Sequence, residues 1–416
     1  MTEPRIRFKK EDGTNYKAWS KFVVSDVFEK IKSKNKDGKI TNVITNSAEF
    51  GLLPQRMYFD KDIAIEGNTG NYTIISRGDF VYNPRKSSSA PMGPFNRYNY
   101  DEEGIVSPLY TCLKPNGKLN SDYLLWYFQT DKWHQFVSDN GAQNGARHDR
   151  VGMNDAIMMS IPILAPEEDE QQKIVDFLSN VDEVIAASEE ETANLEQQKK
   201  AVMQKIFSQE VRFKKEDGND FPDWENCTLV SMCDSISDGD WIESKDQSEL
   251  GVRLIQTGNV GIGTFINKAG KEKWISEETF ARLRCKEVKP GTILVSRLPS
   301  PAGRACIVPD TGSKMITAVD CSIVCVNDDY CDDYIVQYLC SSNYFKDVEA
   351  FLAGGTRKRI SRGNLETIIV PIPTDNDEQQ LIADFLTSYD DAITAAKQEL
   401  AKWKELKKGL LQQMFV

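Results

Sequence analysis

Glu170-Gln171-Gln172-Lys173-Ile174-Val175-Asp176-Phe177-Leu178 opens a stretch that runs on to Phe207, and it returns as Glu378-Gln379-Gln380-Leu381-Ile382-Ala383-Asp384-Phe385-Leu386, running on to Phe415. The two copies agree at about 16 of roughly 38 positions, which marks a duplication. In the first copy Ile174, Leu178, Val181, Ile185, Ser188, Thr192, Leu195, Lys199, Val202 and Ile206 recur at alternating four- and three-residue steps. In the second, Ile382, Leu386, Tyr389, Ile393, Ala396, Leu400, Trp403, Lys407, Leu410 and Met414 keep the same frame. That spacing is an a/d seam, the pattern of helices that pack as a coiled coil. Each copy is predicted to be one unbroken helix of roughly 38 residues, about 57 Å long.

A second repeat flanks the first. Arg7-Phe8-Lys9-Lys10-Glu11-Asp12-Gly13 recurs letter for letter as Arg212-Phe213-Lys214-Lys215-Glu216-Asp217-Gly218, each followed by a tryptophan, Trp19 and Trp224. The chain divides accordingly: a lead-in segment, 1–20, repeated at 206–225; a mixed domain, 21–165; a long helix, 166–210; a second mixed domain with its lead-in, 211–373; and a second long helix, 374–416. Strands are predicted at 72–75 and 79–82 and at 252–255 and 292–295, with one helix in each domain, 122–136 and 333–348. Each domain ends in a Gly-X-Arg segment, a short apolar strand and a proline. Domain termini usually lie close together, so the second helix should start where the first ends and run back along it. The fold class is therefore α+β: two mixed α/β domains separated by two long antiparallel coiled-coil helices, with an internal pseudo-twofold repeat. Lys199 and Lys407, at matching seam positions, are residues that either fix register or snorkel out of it.

Charge is unevenly spread. The net charge is −12, but 1–166 carries about +3, 167–210 about −8, 211–374 about −4 and 375–416 about −3. The long helices hold most of the net negative charge, and the domains are free to carry basic patches. No run approaches the roughly 20 apolar residues of a membrane span, and the start resembles no signal peptide, so the cytoplasm is the expected compartment. Nine cysteines, an odd and scattered number, make no disulfide framework and no paired metal-binding spacing. Cys321 and Cys325 read as small apolar residues on a strand face.

The catalytic inventory is thin. Asn83-Pro84-Arg85 lacks the second proline and the aromatic of an adenine methyltransferase motif. Gly258-Asn259-Val260-Gly261-Ile262-Gly263 lacks the Lys-Ser/Thr of a phosphate loop. His134 and His148 have no evident nucleophile beside them. No catalytic residue, metal or cofactor is expected. Basic residues mixed with aromatic and small polar ones do occur in loops: Arg85, Lys86 and Ser87; Arg97 and Tyr98; Arg147, His148 and Arg150; Arg297 and Arg304; Arg357, Lys358, Arg359 and Arg362. Arginine can read guanine edges or clamp phosphates, so these are the candidate DNA-binding residues.

At this point the residues resemble a known family. The paired Pro166 to Gln172 and Pro373 to Gln380 helix openings, Asp182-Glu183-Val184-Ile185 with Asp390-Asp391-Ala392-Ile393, Gly78-Asp79-Phe80-Val81-Tyr82-Asn83-Pro84, Glu103-Gly104-Ile105-Val106-Ser107-Pro108-Leu109-Tyr110 and Pro290-Gly291-Thr292-Ile293-Leu294-Val295-Ser296-Arg297 together resemble the specificity subunit of a Type I DNA restriction-modification system. Thr292 departs from the aspartate that many relatives carry there, as Asp79 does. The resemblance implies two target recognition domains, each reading half of a split double-stranded DNA sequence, with the helices setting the gap. It implies a non-catalytic subunit that binds two methyltransferase subunits, and restriction subunits through them. A scaffold whose end domains bind proteins, and a self-contained DNA enzyme, are the competing readings.

Overall fold

The computed structural model describes residues 3–58, 69–141, 149–352 and 358–416. They fall into two compact units, Met1–Ser188 with Glu399–Val416, and Glu189–Gln398. The duplicated stretches are single helices, Glu168–Phe207 and Asn376–Met414, of 40 and 39 residues. Among the described residues no helix is long and apolar enough to cross a membrane.

Each unit contains one half of each long helix, and within each the halves run antiparallel. In the first unit Ile174, Val175 and Leu178 share a core with Leu411, Met414 and Phe415, and Asp182 meets Lys407 at 2.6 Å. In the second, Met203, Ile206 and Phe207 share a core with Ile382, Ala383 and Leu386, and Lys199 meets Asp390 at 2.6 Å. Numbers rise along one helix as they fall along the other. Of the seam, Ile174, Leu178, Val181, Ile185, Ile206, Ile382, Leu386 and Ile393 are buried. Leu195, Lys199, Val202, Tyr389, Leu400, Trp403, Lys407 and Leu410 are half-buried.

The Glu-Gln-Gln opening is the junction that fastens helix to domain, and it is built twice. Glu170 has no exposed surface and receives Arg7 through two bonds, Nε to Oε1 at 3.1 Å and Nη2 to Oε2 at 2.7 Å. Glu378 receives Arg212 in the same fork, at 3.2 and 2.8 Å. These forks raise both guanidinium pKa values above the ordinary one, and a buried carboxylate is tolerable only with such a partner. Gln171 donates to Pro166 O and accepts from Asn120 N, both at 2.9 Å; Gln379 donates to Pro373 O and accepts from Cys331 N at the same distances.

The sheets follow one plan with different elaborations. Ser20–Val23 pairs antiparallel with Pro162–Ala165, and Trp224–Thr228 with Ile369–Pro373. A four-stranded sheet follows in each unit: Phe28–Lys30, Thr111–Pro115, Phe80–Tyr82 and Phe95–Arg97 in the first, and Cys233–Asp238, Cys321–Val326, Ile293–Ser296 and Arg304–Ile307 in the second. Among the described residues the second unit adds another four-stranded sheet, whereas the first adds two two-stranded ribbons. Burial pushes the Cys306 thiol up to about 12 and the Cys321 thiol up to about 11, so both stay protonated and pack as apolar groups.

The helices predicted at 122–136 and 333–348 are each two helices: Ser121–Phe128 with His134–Asn140, and Asp332–Tyr338 with Ser342–Ala350. Thr130 Oγ1 bonds back to Tyr127 O at 2.6 Å, and Ser341 caps the next helix at Tyr344 N. Trp133 and Tyr344 then drop into the core, which keeps the apolar rhythm running across both breaks. Tyrosines tie the first helix of each pair to the strand leading into a long helix. Tyr123 donates to Leu164 O and Tyr334 to Pro371 O, each at 2.6 Å.

Candidate nucleic-acid interface

In the first unit the chain leaves strand Phe80–Tyr82 through Asn83, whose buried amide donates to Asn46 O at 3.0 Å and whose Oδ1 accepts from Arg85 N at 3.0 Å. Gly93 closes this loop at φ +82°, where a Cβ would sit 2.1 Å from Asn83 O. Only glycine fits that approach. Arg85, Lys86 and Ser87 are exposed on the loop. It is stitched to the 149–151 segment by Lys86 N to Asp149 O at 2.9 Å and Val151 N to Pro84 O at 2.8 Å, with Arg85 and Arg150 bridged. Two loops far apart in sequence thus form one basic edge. Arg150 is half-buried, 4.0 Å from Asp149. Arg147 and His148 lie outside the described residues.

Arg97 and Tyr98 play another part. Arg97 pairs with Asp122 at 2.7 Å and donates to Ser121 Oγ, tying a strand to a helix N-terminus. Tyr98 is fully buried and donates to Glu102 O at 2.7 Å. Its ring belongs to the core and does not reach the surface, which corrects its place among the candidate contacts. Near the same domain, Asn96 and Gln129 line an open hollow with Phe50 and Tyr100 at its rim.

The second unit divides its arginines the same way. Arg297 is 4% exposed and donates to Val319 O at 2.6 Å. Arg304 is wrapped by the carbonyls of Val260, Thr257 and Pro301, at 2.9, 3.2 and 2.5 Å. Both are inward-turned braces, not the exposed readers that sequence suggests. Lys358, Arg359 and Arg362 are exposed, and Arg357 lies outside the described residues. The acids beside them, Asp238 and Asp320, have no sequence signal. Among the described residues no cluster of histidine, cysteine or carboxylate side chains could hold a metal ion.

His134 is half-buried against Trp133, ring centroids 4.6 Å apart, and burial lowers its pKa. It lines a cleft of about 600 Å³ with Glu49, Ser89, Thr130, Asp131 and Lys408.

Comparison with known proteins matches this architecture. Residues 16–197 and 222–403 each match the family described as Type I restriction modification DNA specificity domain. The Type I restriction enzyme MjaVIII specificity subunit of Methanocaldococcus jannaschii is 25% identical over 319 residues, 74% of this chain and 73% of its own length. The putative type I restriction enzyme MjaX specificity subunit of the same organism is 24% identical over 97% of this chain and 94% of its own length. Among solved structures, a chain from a type I R-M system superposes with a TM-score of 0.59 at 16% identity, covering 95% of this chain and 97% of that one. The S subunit of a Type-I restriction-modification system from M. genitalium gives 0.55 at 13% identity over 100% and 99%. The two structures share the fold, and the paired matches at 16–197 and 222–403 settle the lineage: the chain belongs to the Type I restriction-modification DNA specificity family and carries its domain twice.

Proposed function

We propose that this chain directs a Type I restriction-modification complex to its DNA, with residues 21–165 and 211–373 as two target recognition domains that each read one half of a bipartite sequence. The long helices, within 166–210 and 374–416, set the spacing between half-sites and receive two methyltransferase subunits. Restriction subunits join through the methyltransferases, and the assembly works on double-stranded DNA in the cytoplasm. The chain itself contributes recognition and no chemistry.

The observation that carries this reading is the duplication of the whole domain-plus-helix unit, with each copy matching the same DNA specificity family. Two divergent domains on one repeated frame suit an asymmetric target. The acidic helices are poor DNA surfaces and better suited to protein partners. Exposed basic residues occur in both units: Arg85 and Lys86, beside half-buried Arg150, in one, and Lys358, Arg359 and Arg362 in the other.

Gel shifts with random-sequence duplexes, with and without co-expressed methyltransferase subunits, test it, and methylome sequencing of the host reads out the target. A split motif with an adenine modified in each half is expected. Absence of any sequence preference in the complex refutes the reading.

A further inference from the structure

Segment 358–362 of the second unit presents Lys358, Arg359 and Arg362 to solvent around one fully buried residue, Ile360. Its position is fixed through backbone. Ile360 N donates to Arg297 O at 3.2 Å, and Arg297 N donates to Asp320 O at 2.9 Å. The Arg297 side chain is pinned beneath, with Nη2 3.3 Å from Asp238 Oδ1. The two exposed arginines then reach back to the same two acids. Arg359 Nη1 lies 3.6 Å from Asp320 Oδ1, and Arg362 Nη1 lies 3.4 Å from Asp238 Oδ2.

These pairs differ in kind from the structural ones. Arg212 grips a carboxylate of zero exposure through two bonds of 2.8 and 3.2 Å. Arg359 makes one long contact with Asp320, and Arg362 makes one with Asp238 beside a second pair from its Nε to Glu366 Oε1 at 3.1 Å; about half of each arginine side chain is open to water, 53% and 43%. A long, exposed, single-contact pair is readily exchanged. A phosphate offers an arginine two oxygens in the right plane and outcompetes it.

We propose that Asp320, and Asp238 together with Glu366, are resident stand-ins for DNA phosphates, holding Arg359 and Arg362 until the backbone of a duplex takes those guanidiniums over. The inference rests on the reading of 211–373 as a DNA-contacting domain. It adds a specificity device to that domain: the acids weaken every phosphate contact alike, so only a duplex that also satisfies base contacts keeps the segment engaged.

The test uses the full chain, alone and co-purified with methyltransferase subunits, and random-sequence duplex DNA at fixed salt. Asp320→Asn is isosteric and at a half-exposed site; Asp238 is left intact because Arg297 depends on it. D320N should tighten binding about two- to fivefold, the span set by an exposed ion pair, and Arg359→Ala should weaken it. The double variant R359A/D320N should bind no more tightly than R359A. An equal gain from D320N in both backgrounds makes Asp320 a bulk charge and overturns the proposal, as does a D320N variant that binds like wild type. If wild type retains no duplex in either preparation, the recognition-domain reading falls first and this inference with it.

Discussion

Lys199 Nζ stands 2.6 Å from both carboxylate oxygens of Asp390 on the facing long helix. The partner relationship recurs between Lys407 and Asp182, also at 2.6 Å. Lysine 17 residues beyond the aspartate on each helix finds the aspartate of the other, so the pair specifies an antiparallel register. Each pair is also fastened to its domain. Gln337 Nε2 donates to Asp390 Oδ2 at 2.8 Å, and Lys407 lies 4.8 Å over the Trp126 ring.

Lys199→Ala should lower stability by about 1–3 kcal/mol, between the values for exposed and buried pairs, because Asp390 is left half-buried with only Gln337. Replacing both partners by leucine should recover most of the loss while relaxing register. Urea unfolding of the two singles and the double provides the cycle.

Glu378→Ala should cost more, about 3 kcal/mol, since it strands Arg212 and the Trp224 indole, which donates to Glu378 at 3.0 Å. Exchanging the charges, with Arg212→Glu and Glu378→Arg together, should not restore stability. Arg212 also donates to Pro222 O at 2.6 Å, and a carboxylate there would face a carbonyl. Denaturation midpoints separate the outcomes.

Burial holds His134 below its ordinary 6.5. Between that value and the lower one in the fold, the unfolded chain binds more protons. Stability is therefore full above pH 6.5 and declines as pH falls through the window beneath it. His134→Phe keeps a ring against Trp133 and cannot protonate. Urea midpoints measured from about pH 7 to about pH 5 should fall less steeply in the variant than in wild type.

Lys86→Ala should weaken DNA binding and reduce the salt slope by about one unit, the signature of a lost phosphate contact. Tyr98→Phe should leave the slope alone and lower stability by about 1 kcal/mol through the lost bond to Glu102 O. Binding titrations at several salt concentrations, with an unfolding curve for each variant, distinguish a surface contact from a core residue.

The long helices were legible because seam spacing survives any change of surface residues, from Ile174 to Leu410. The junctions were legible only as a repeat. Arg7 with Glu170 and Arg212 with Glu378 are duplicated charges 163 and 166 residues apart, a pairing that no local pattern announces. The loops misled in a regular way. Arg297 and Arg304 read like exposed cations, yet carbonyls of turns distant in sequence collect them. Tyr98 follows Asn96 and Arg97 in a polar stretch and still packs inside, because its ring fills the space beside Gly104. The breaks at Thr130 and Ser341 escaped because a large aromatic resumes the apolar face after each.

The division of the long helices between units has a consequence for how the protein is made. The second unit is contiguous, Glu189–Gln398, whereas the first needs Glu399–Val416 for its core. Leu411, Met414 and Phe415 pack with Trp19, Tyr123 and Ile174, and they leave the ribosome after all of the second unit has emerged. Synthesis runs from the N-terminus, so the first half to be translated is the last to be completed. Until then the core around Trp19 and Tyr123 lacks the side chains of Leu411, Met414 and Phe415 that complete it.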